Sequence, residues 1–460
     1  MRLEKSALGL GTFTVLVLWM AGGNGRAQQQ TVPANKETVS AESQTPLPSP
    51  WILHKVDAEQ SNYLPRYVEQ IRREKEYRAS PTADSYLQAR ATSASILGDV
   101  REAITMYDEA QGIGKQPAKP LETSPLLGYV STDAETFLLK AADHNRVLMI
   151  NEVHHQPQTR VLTTRLLRRL YDKGFRYLAL ETLNPPADVA QAQKLKYPTA
   201  QTGTYTNEPV FGDMVRQALE IGYTLVPYEF DGDERRNEDR MTRRNRREIE
   251  EARNLKERIF DKDPNAKVLV HAGYSHVSEK PQTLDGDNDT WVFMAIRFKE
   301  MTGIDPFTVD QQTMLSHSQP GAEPAVYRDA VGRGWVSDRP VVFVDKKGNT
   351  WMQPSSGINV DAQVFLPPVH FAQERPDWLA RDLNRVAVPV PAALQTGNGL
   401  RLVQAFWEGE PGNAVPVDQV LLHPGQEVPP LLLPRRGKKR FWLRAWDESG
   451  KVTDPVPTRL

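Results

Sequence analysis

Between residues 143 and 312, short apolar runs alternate with segments of helical period, and this alternation restricts the fold more than any other feature. The first run, Val147-Leu148-Met149-Ile150, is followed by Val161, Leu162, Leu166, Leu167 and Leu170 at helical spacing. Tyr177-Leu178-Ala179-Leu180 is the second run. After helical Val215, Ala218, Leu219 and Ile221 comes the third, Thr224-Leu225-Val226-Pro227-Tyr228. A charged helix over about 233–260 leads to Lys267-Val268-Leu269-Val270, and a helix over 291–301 leads to Phe307-Thr308-Val309. Strands apolar at consecutive positions are covered on both faces, which helices do when the strands run parallel. The predicted class is therefore α/β, with a largely parallel sheet covered by helices on both faces.

The chain has 460 residues, more than one core usually organises, so further units are expected around this domain. Arg2 and Lys5 precede an apolar stretch from Ala7 to Ala21, then Gly25-Arg26-Ala27, the layout of a secretory signal cleaved after Ala27. At 15 residues the stretch is shorter than the roughly 18–20 needed to span a bilayer. The segment 28–53 is rich in Gln, Thr, Ser and Pro and has too few apolar side chains to offset its ordering entropy, so a flexible linker is expected. Over 54–123 a helical segment is predicted: Leu87, Ala91, Ile96, Ala103, Ile104, Tyr107 and Ala110 recur around a break at Gly98-Asp99, giving a helical hairpin. It resembles half of a tetratricopeptide repeat, but the single copy favours a cap on the main domain. The α/β domain is placed at 124–315, a linker at 316–339 and a β-rich C-terminal domain at 340–460, where Val341-Val342-Phe343-Val344 begins a series of strands separated by prolines.

The 57 basic and 58 acidic residues nearly cancel, so no net field gathers nucleic acid or anionic membrane. The absence of cysteine excludes disulfides, thiol nucleophiles and thiolate metal sites. Together with the signal layout, this predicts a protein free in the periplasm or secreted, with no transmembrane span after cleavage and a small-molecule or peptide ligand.

Polar residues fall where such a sheet places its chemistry, at the carboxyl ends of strands. Glu152, His154 and His155 follow the first strand, Glu181 ends the second, Tyr228 and Glu229 end the third, and His271, Tyr274 and His276 follow the fourth. Crowded carboxylates raise one another's pKa, so a cation must balance them. A divalent metal is one solution, with Glu152, His154, Glu181 and His276 as ligands and an open position to activate water. The other is metal-free: an imidazole as base, a Glu of raised pKa as acid, and Arg160, Arg235 or Arg236 supplying charge. Ser275 lies beside His276, but no Gly-x-Ser-x-Gly turn marks it as a nucleophile.

These residues carry a resemblance. Asn151-Glu152-Val153-His154-His155, Ala179-Leu180-Glu181-Thr182, Pro227-Tyr228-Glu229, Met241 in an Arg-rich helix and His271-Ala272-Gly273-Tyr274-Ser275-His276-Val277, with Phe293-Met294-Ala295, resemble the erythromycin esterase, ChaN and Tiki superfamily in order and spacing. The likeness covers about 135–312 and is nearest the erythromycin-esterase-like branch. It implies Glu152 and His154 as the first Glu-x-His, Glu181 and Glu229 as strand-end acids, and Gly273 to His276 as the second Gly-x-x-His. Asn151 stands where the family usually has Gly, and Arg236 lies one place early relative to the family's Arg-acid-x-x-Met helix start. The superfamily's activities are antibiotic ester hydrolysis, metal-dependent proteolysis and haem binding in iron uptake.

The expected function is accordingly hydrolysis of an ester or amide by Glu152, His154, Glu181, Glu229 and His276, with or without a divalent metal. Two alternatives stand beside it: haem binding through Tyr228, Tyr274 or a histidine, and a non-catalytic exported scaffold. The run from Arg235 to Arg247 is interleaved with acids and is expected to be a solvated, salt-bridged helix. Arg435 to Arg440 is expected to be a charged hairpin turn, and Trp407, Trp442 and Trp446 core residues of the tail domain.

Overall fold

The computed structural model describes residues 47–52, 61–114, 121–230, 232, 238–283, 290–319, 321–354, 356–437 and 440–460. The expected signal sequence, most of the expected linker 28–53, and Arg235 and Arg236 lie outside them. Among the described residues no helix is long and apolar enough to cross a membrane.

The central sheet has eight strands: β1 (Val130–Asp133), β2 (Val147–Glu152), β3 (Tyr177–Leu180), β4 (Thr224–Pro227), β5 (Val268–Gly273), β6 (Phe307–Met314), β7 (Val341–Val344) and β8 (Ala362–Phe365). Their spatial order is β1-β7-β8-β6-β2-β5-β3-β4. From β8 to β4 neighbouring strands are parallel, and β7 alone runs against the strands beside it. The α/β reading holds, and both faces are covered. Leu148 and Ile150 of β2 join a cluster with Leu166, Leu170, Phe211 and Met214, whereas Val147 and Met149 join Leu255, Ile259, Met294 and Phe298. The period-two alternation thus sends adjacent residues of one strand into two separate cores. Truncating any of these fully buried side chains to alanine would cost about 2–5 kcal/mol.

The strand at Val341–Val344 does not begin a separate β-rich domain; it pairs with β1 and β8 inside the central sheet. Its apolar run reports burial but not partner, and both sides of position 340 supply strands to the same sheet. Likewise the expected linker 316–339 contains a helix, Ala325–Gly332, whose Val326, Tyr327 and Ala330 pack with Phe343 and Phe365.

Beyond a short pair at Phe371–Ala372 and Arg375–Pro376, the C-terminal strands among the described residues are β9 (Arg385–Val388), β10 (Arg401–Trp407), β11 (Asp418–Leu422), β12 (Leu431–Pro434), β13 (Arg440–Asp447) and β14 (Val456–Arg459). Four form an antiparallel sheet in the order β11-β10-β13-β14, and β9 pairs with β12. Trp407 and Trp446 are buried, and Trp442 stacks on Phe406. One face of the four-stranded sheet packs on the β9–β12 pair through Val403, Leu443 and Leu431. The other face, with Leu402, Leu421 and Trp446, packs on Leu64, Tyr67, Ala94 and Leu97 of the N-terminal helices.

The predicted helical hairpin is present as α1 (Ala83–Ile96) and α2 (Val100–Gln111), and this tail sheet is one of its supports. Gly98 makes the turn at φ +84° and lies so close to the Gln419 carbonyl that any Cβ would collide with it. Buried ion pairs also tie the tail to the α/β domain. Asp213, on the helix Pro209–Ile221, takes Arg385 at 3.3 Å and Arg436, and Arg216 meets Glu410 at 2.7 Å. Arg436 of the basic turn is therefore an interdomain partner.

Candidate active site

Strand order decides whether the polar residues meet. β2, β5, β3 and β4 are consecutive and parallel, so their carboxyl ends form one rim. Glu152 is the last residue of β2 and lies in register with Gly273 of β5. Glu181 follows β3, Glu229 lies just beyond β4, and His276 sits in the short turn Tyr274–Val277 after β5.

At one end of the rim His154 Nδ1 stands 2.8 Å from Glu152 Oε1. Arg160 Nε donates to the other oxygen, Oε2, at 2.6 Å. Arg160 also donates to Glu208 Oε2 and to the His154 carbonyl, each at 2.8 Å. Burial works against the Glu152 charge, but Arg160 and then His154 outweigh it and hold the carboxyl far below its ordinary range. An ionised Glu152 fixes the proton of His154 on Nδ1, which leaves the Nε2 lone pair free. The imidazole lies between two tyrosines, stacked on Tyr205 at a centroid distance of 3.8 Å and edge-on to Tyr274 at 4.8 Å.

Gly273 allows this placement. A Cβ there would lie 2.7 Å from His154 Nε2 and 2.9 Å from Glu181 Oε2. Its amide donates to Glu181 Oε2, and Tyr274, next in the chain, has a left-handed φ of +47°, a strained conformation for a non-glycine residue. Asn151 is buried. Its side chain donates to the Tyr274 carbonyl at 2.8 Å and to Asp310 at 2.9 Å, and accepts from the Gln311 amide at 2.6 Å. The amide side chain thus ties β2 to β6 and to the turn after β5.

The other end of the rim is organised by a helix that sequence reasoning assigned to solvent. The helix α3 (Arg240–Leu255) turns Arg244, Glu248 and Glu251 inward along with Met241, Ala252 and Leu255. Arg247 Nη2 donates to Glu181 Oε1 at 2.6 Å, and Arg247 Nε donates to Glu229 Oε1 at 2.8 Å and lies 3.0 Å from Glu251. The expected solvated helix is therefore a wall of the site, because its acids and one arginine balance charge that the strand ends create. The signal was available: Arg244, Glu248 and Glu251 occupy the three-and-four spacing that a core-facing stripe uses.

His276 Nδ1 lies 2.8 Å from Glu248 and 3.0 Å from Glu251, while Arg247 Nη1 stands 3.0 Å from its Nε2. Burial disfavours a charged ring, but Glu248, Glu251 and Glu181 outweigh it and push its pKa well up. Glu251 is raised as well, by burial first, with Arg247 and His276 opposing. Arg247, facing Nε2, opposes the charge on the ring but does not outweigh the carboxylates. Glu248 fixes this end through bonds from Trp291 Nε1 at 2.9 Å and the Met294 amide at 2.6 Å.

Of the remaining predicted residues, His271 is buried within β5, with Nδ1 3.1 Å from Thr163 Oγ1, and burial above all holds it neutral, down to about 4. Tyr228 is fully buried and donates to the His271 carbonyl at 3.4 Å. His155 points away from this charge network and stacks on Tyr107. Glu208, Tyr205, Arg247, Glu248 and Glu251 are the site residues that sequence reasoning missed.

Glu181, Glu251 and His276 offer ligand atoms within 4.8 Å of one another, so this buried group can hold a metal ion. Two carboxylates and an imidazole suit a borderline divalent cation. The Arg247 guanidinium already lies among these groups, so an ion would have to displace it. A cleft of about 70 Å³ opens beside Glu181, Tyr205, Glu229 and Arg247.

No family model matches the chain, and no curated protein matches it. Among solved structures, it is similar at 14% identity to one described as the structure of the type III effector HopBA1, covering 41% of this chain and 87% of that chain with a TM-score of 0.26. It is also similar at 14% identity to one described as bacterial protein toxins, covering 49% of this chain and 45% of that chain with a TM-score of 0.29. Neither likeness is close enough to carry an argument about the site.

Proposed function

We propose that the chain is an exported hydrolase of ester or amide bonds, and that its α/β domain is a divergent relative of the erythromycin esterase, ChaN and Tiki superfamily. The observation that carries this reading is the Glu152–His154 pair, whose Nδ1 contact of 2.8 Å leaves Nε2 as a base beside Glu181. In the reaction, Nε2 takes a proton from water as the water oxygen bonds to the substrate carbonyl carbon. The carbonyl oxygen becomes an oxyanion, which the partly exposed Arg247 guanidinium at the cleft stabilises. Collapse of the intermediate breaks the bond to the leaving oxygen or nitrogen, which takes its proton back from His154. Glu181, Glu251 and His276 would hold a divalent cation, which would supply Lewis acidity. Export is supported by the charged, apolar and small-residue succession ending at Ala27.

The test is hydrolysis of a panel of p-nitrophenyl esters and anilides by the full chain and by His154→Ala. Activity in the wild type that is lost in the variant supports the reading. Equal rates in the two, or no hydrolysis by the wild type, reject it. Activity that survives a chelator assigns the charge stabilisation to Arg247.

A further inference from the structure

Beside Tyr274 lies a second cavity, of about 260 Å³. Tyr205, stacked on one side of His154, lines the cleft, whereas Tyr274, edge-on to the same ring, lines the second cavity. Tyr107 and Gln111 of α2 contribute to its wall, so the N-terminal hairpin completes a space that the sheet rim leaves open. Among the described residues His155 Nδ1 has no hydrogen-bond partner, and the residue, only 3% exposed, lines the cavity. The ring is kept neutral by burial and by His317, His154 and Arg160. A buried imidazole nitrogen without a partner is costly, and a bound molecule that reaches the ring lowers that cost.

The lining also identifies the chemistry. It contains no carboxylate, lysine or arginine, and His317 on its wall is already paired with Asp108 at 2.9 Å, so a charged ligand would be desolvated without a free counter-ion. Ser275 and Gln312 have no side-chain hydrogen bond to protein among the described residues, and both line the cavity. Tyr107 is already stacked on His155 at 3.6 Å and lies parallel to Tyr274 at 6.3 Å, a gap too narrow to admit another ring between them. The site thus presents hydroxyl, amide and imidazole groups around aromatic edges, and its volume is near the lower limit of small-molecule pockets.

We infer that this second cavity binds a neutral polyhydroxylated ring, a single sugar unit, by hydrogen bonds to His155, Ser275 and Gln312, with Tyr107 of the N-terminal hairpin as its wall. The inference goes beyond the hydrolase reading and does not depend on it, because sugar occupancy is read by binding and not by turnover.

The full chain is labelled with ¹⁵N at histidine and titrated with methyl glucoside, methyl galactoside, methyl mannoside and N-acetylglucosamine. Imidazole resonances are followed, with glucuronate as the charged control. At least one neutral sugar is expected to shift the His155 signals, and glucuronate to bind about tenfold more weakly. His155→Phe keeps a flat ring against Tyr107 but removes both nitrogens, so sugar binding, followed by calorimetry, should weaken about tenfold while the melting temperature is retained. Gln312→Leu, at a half-buried position, provides a second variant with the same expected loss. The inference is overturned if no neutral sugar perturbs His155, if glucuronate binds as well as the neutral sugars, or if both variants bind like the wild type.

Discussion

Glu152 holds the Nδ1 proton of His154 across 2.8 Å while the same carboxylate is clamped from behind by Arg160 at 2.6 Å. Orientation of the imidazole and ionisation of its carboxylate therefore depend on one buried arginine. His154→Ala should lower ester turnover about 10²–10⁴-fold with little change in melting temperature. Arg160→Met should instead destabilise the fold by about 3–5 kcal/mol, since Glu152 and Glu208 would both be left buried without their cation. Urea unfolding beside turnover separates the two, and a catalytically normal, fully stable Arg160→Met would refute the clamp.

Gly273→Ala tests the close packing of the rim. The added methyl would lie within 3 Å of both His154 and Glu181, so the imidazole or the carboxylate must move. Turnover should fall at least about tenfold, consistent with the sensitivity of catalysis to small displacements. His154 ring signals that remain unshifted in the variant would show that the contact is not restrictive.

Arg247 occupies the position that a cation would take among Glu181, Glu229, Glu251 and His276. Arg247→Ala should therefore raise the affinity for zinc or manganese, measured by calorimetry, by about tenfold or more, because the carboxylates lose their internal counter-ion. Unchanged or weaker metal binding would show that Arg247 does not compete for that position.

One buried histidine should work against stability on mild acidification. Burial depresses His271 from 6.5 to about 4, so between those values the unfolded chain takes up a proton that the native chain rejects. This contribution is complete above pH 6.5 and is lost as pH falls through about 4. Glu152, depressed below its ordinary 4.5, adds a loss that begins as pH falls below that value. His276 and Glu251, both raised, act in the opposite direction and favour the native state as pH falls. Replacing His271 by Gln should remove this loss, so that the variant gains roughly 2 kcal/mol relative to the wild type between about pH 6.5 and pH 5 in urea unfolding. An unchanged slope would place the acid sensitivity elsewhere.

The strands of the central sheet were legible because a strand covered on both faces must be apolar at consecutive positions, and Val147 to Ile150 or Val268 to Val270 show that directly. Glu152, Glu181, Glu229 and His276 were legible for a related reason: polar side chains immediately after apolar strands lie on the rim whatever the strand order. Pairing was not legible. Nothing in Val341-Val342-Phe343-Val344 says that it joins β1 and β8, because a hydrophobic strand carries no address for its neighbour. The charged stretch of α3 was equally silent about Arg247, Glu248 and Glu251, since the same residues would be stable in water. They became site residues only when the parallel order β2-β5-β3-β4 crowded carboxylates and imidazoles along the rim, where their charges need partners held in place. The sequence by itself thus determined which side chains reach the rim, through the local periodicity of strands. The tertiary structure alone decided which cations balance them and which helices close the cavities, because those depend on contacts between segments far apart in the chain.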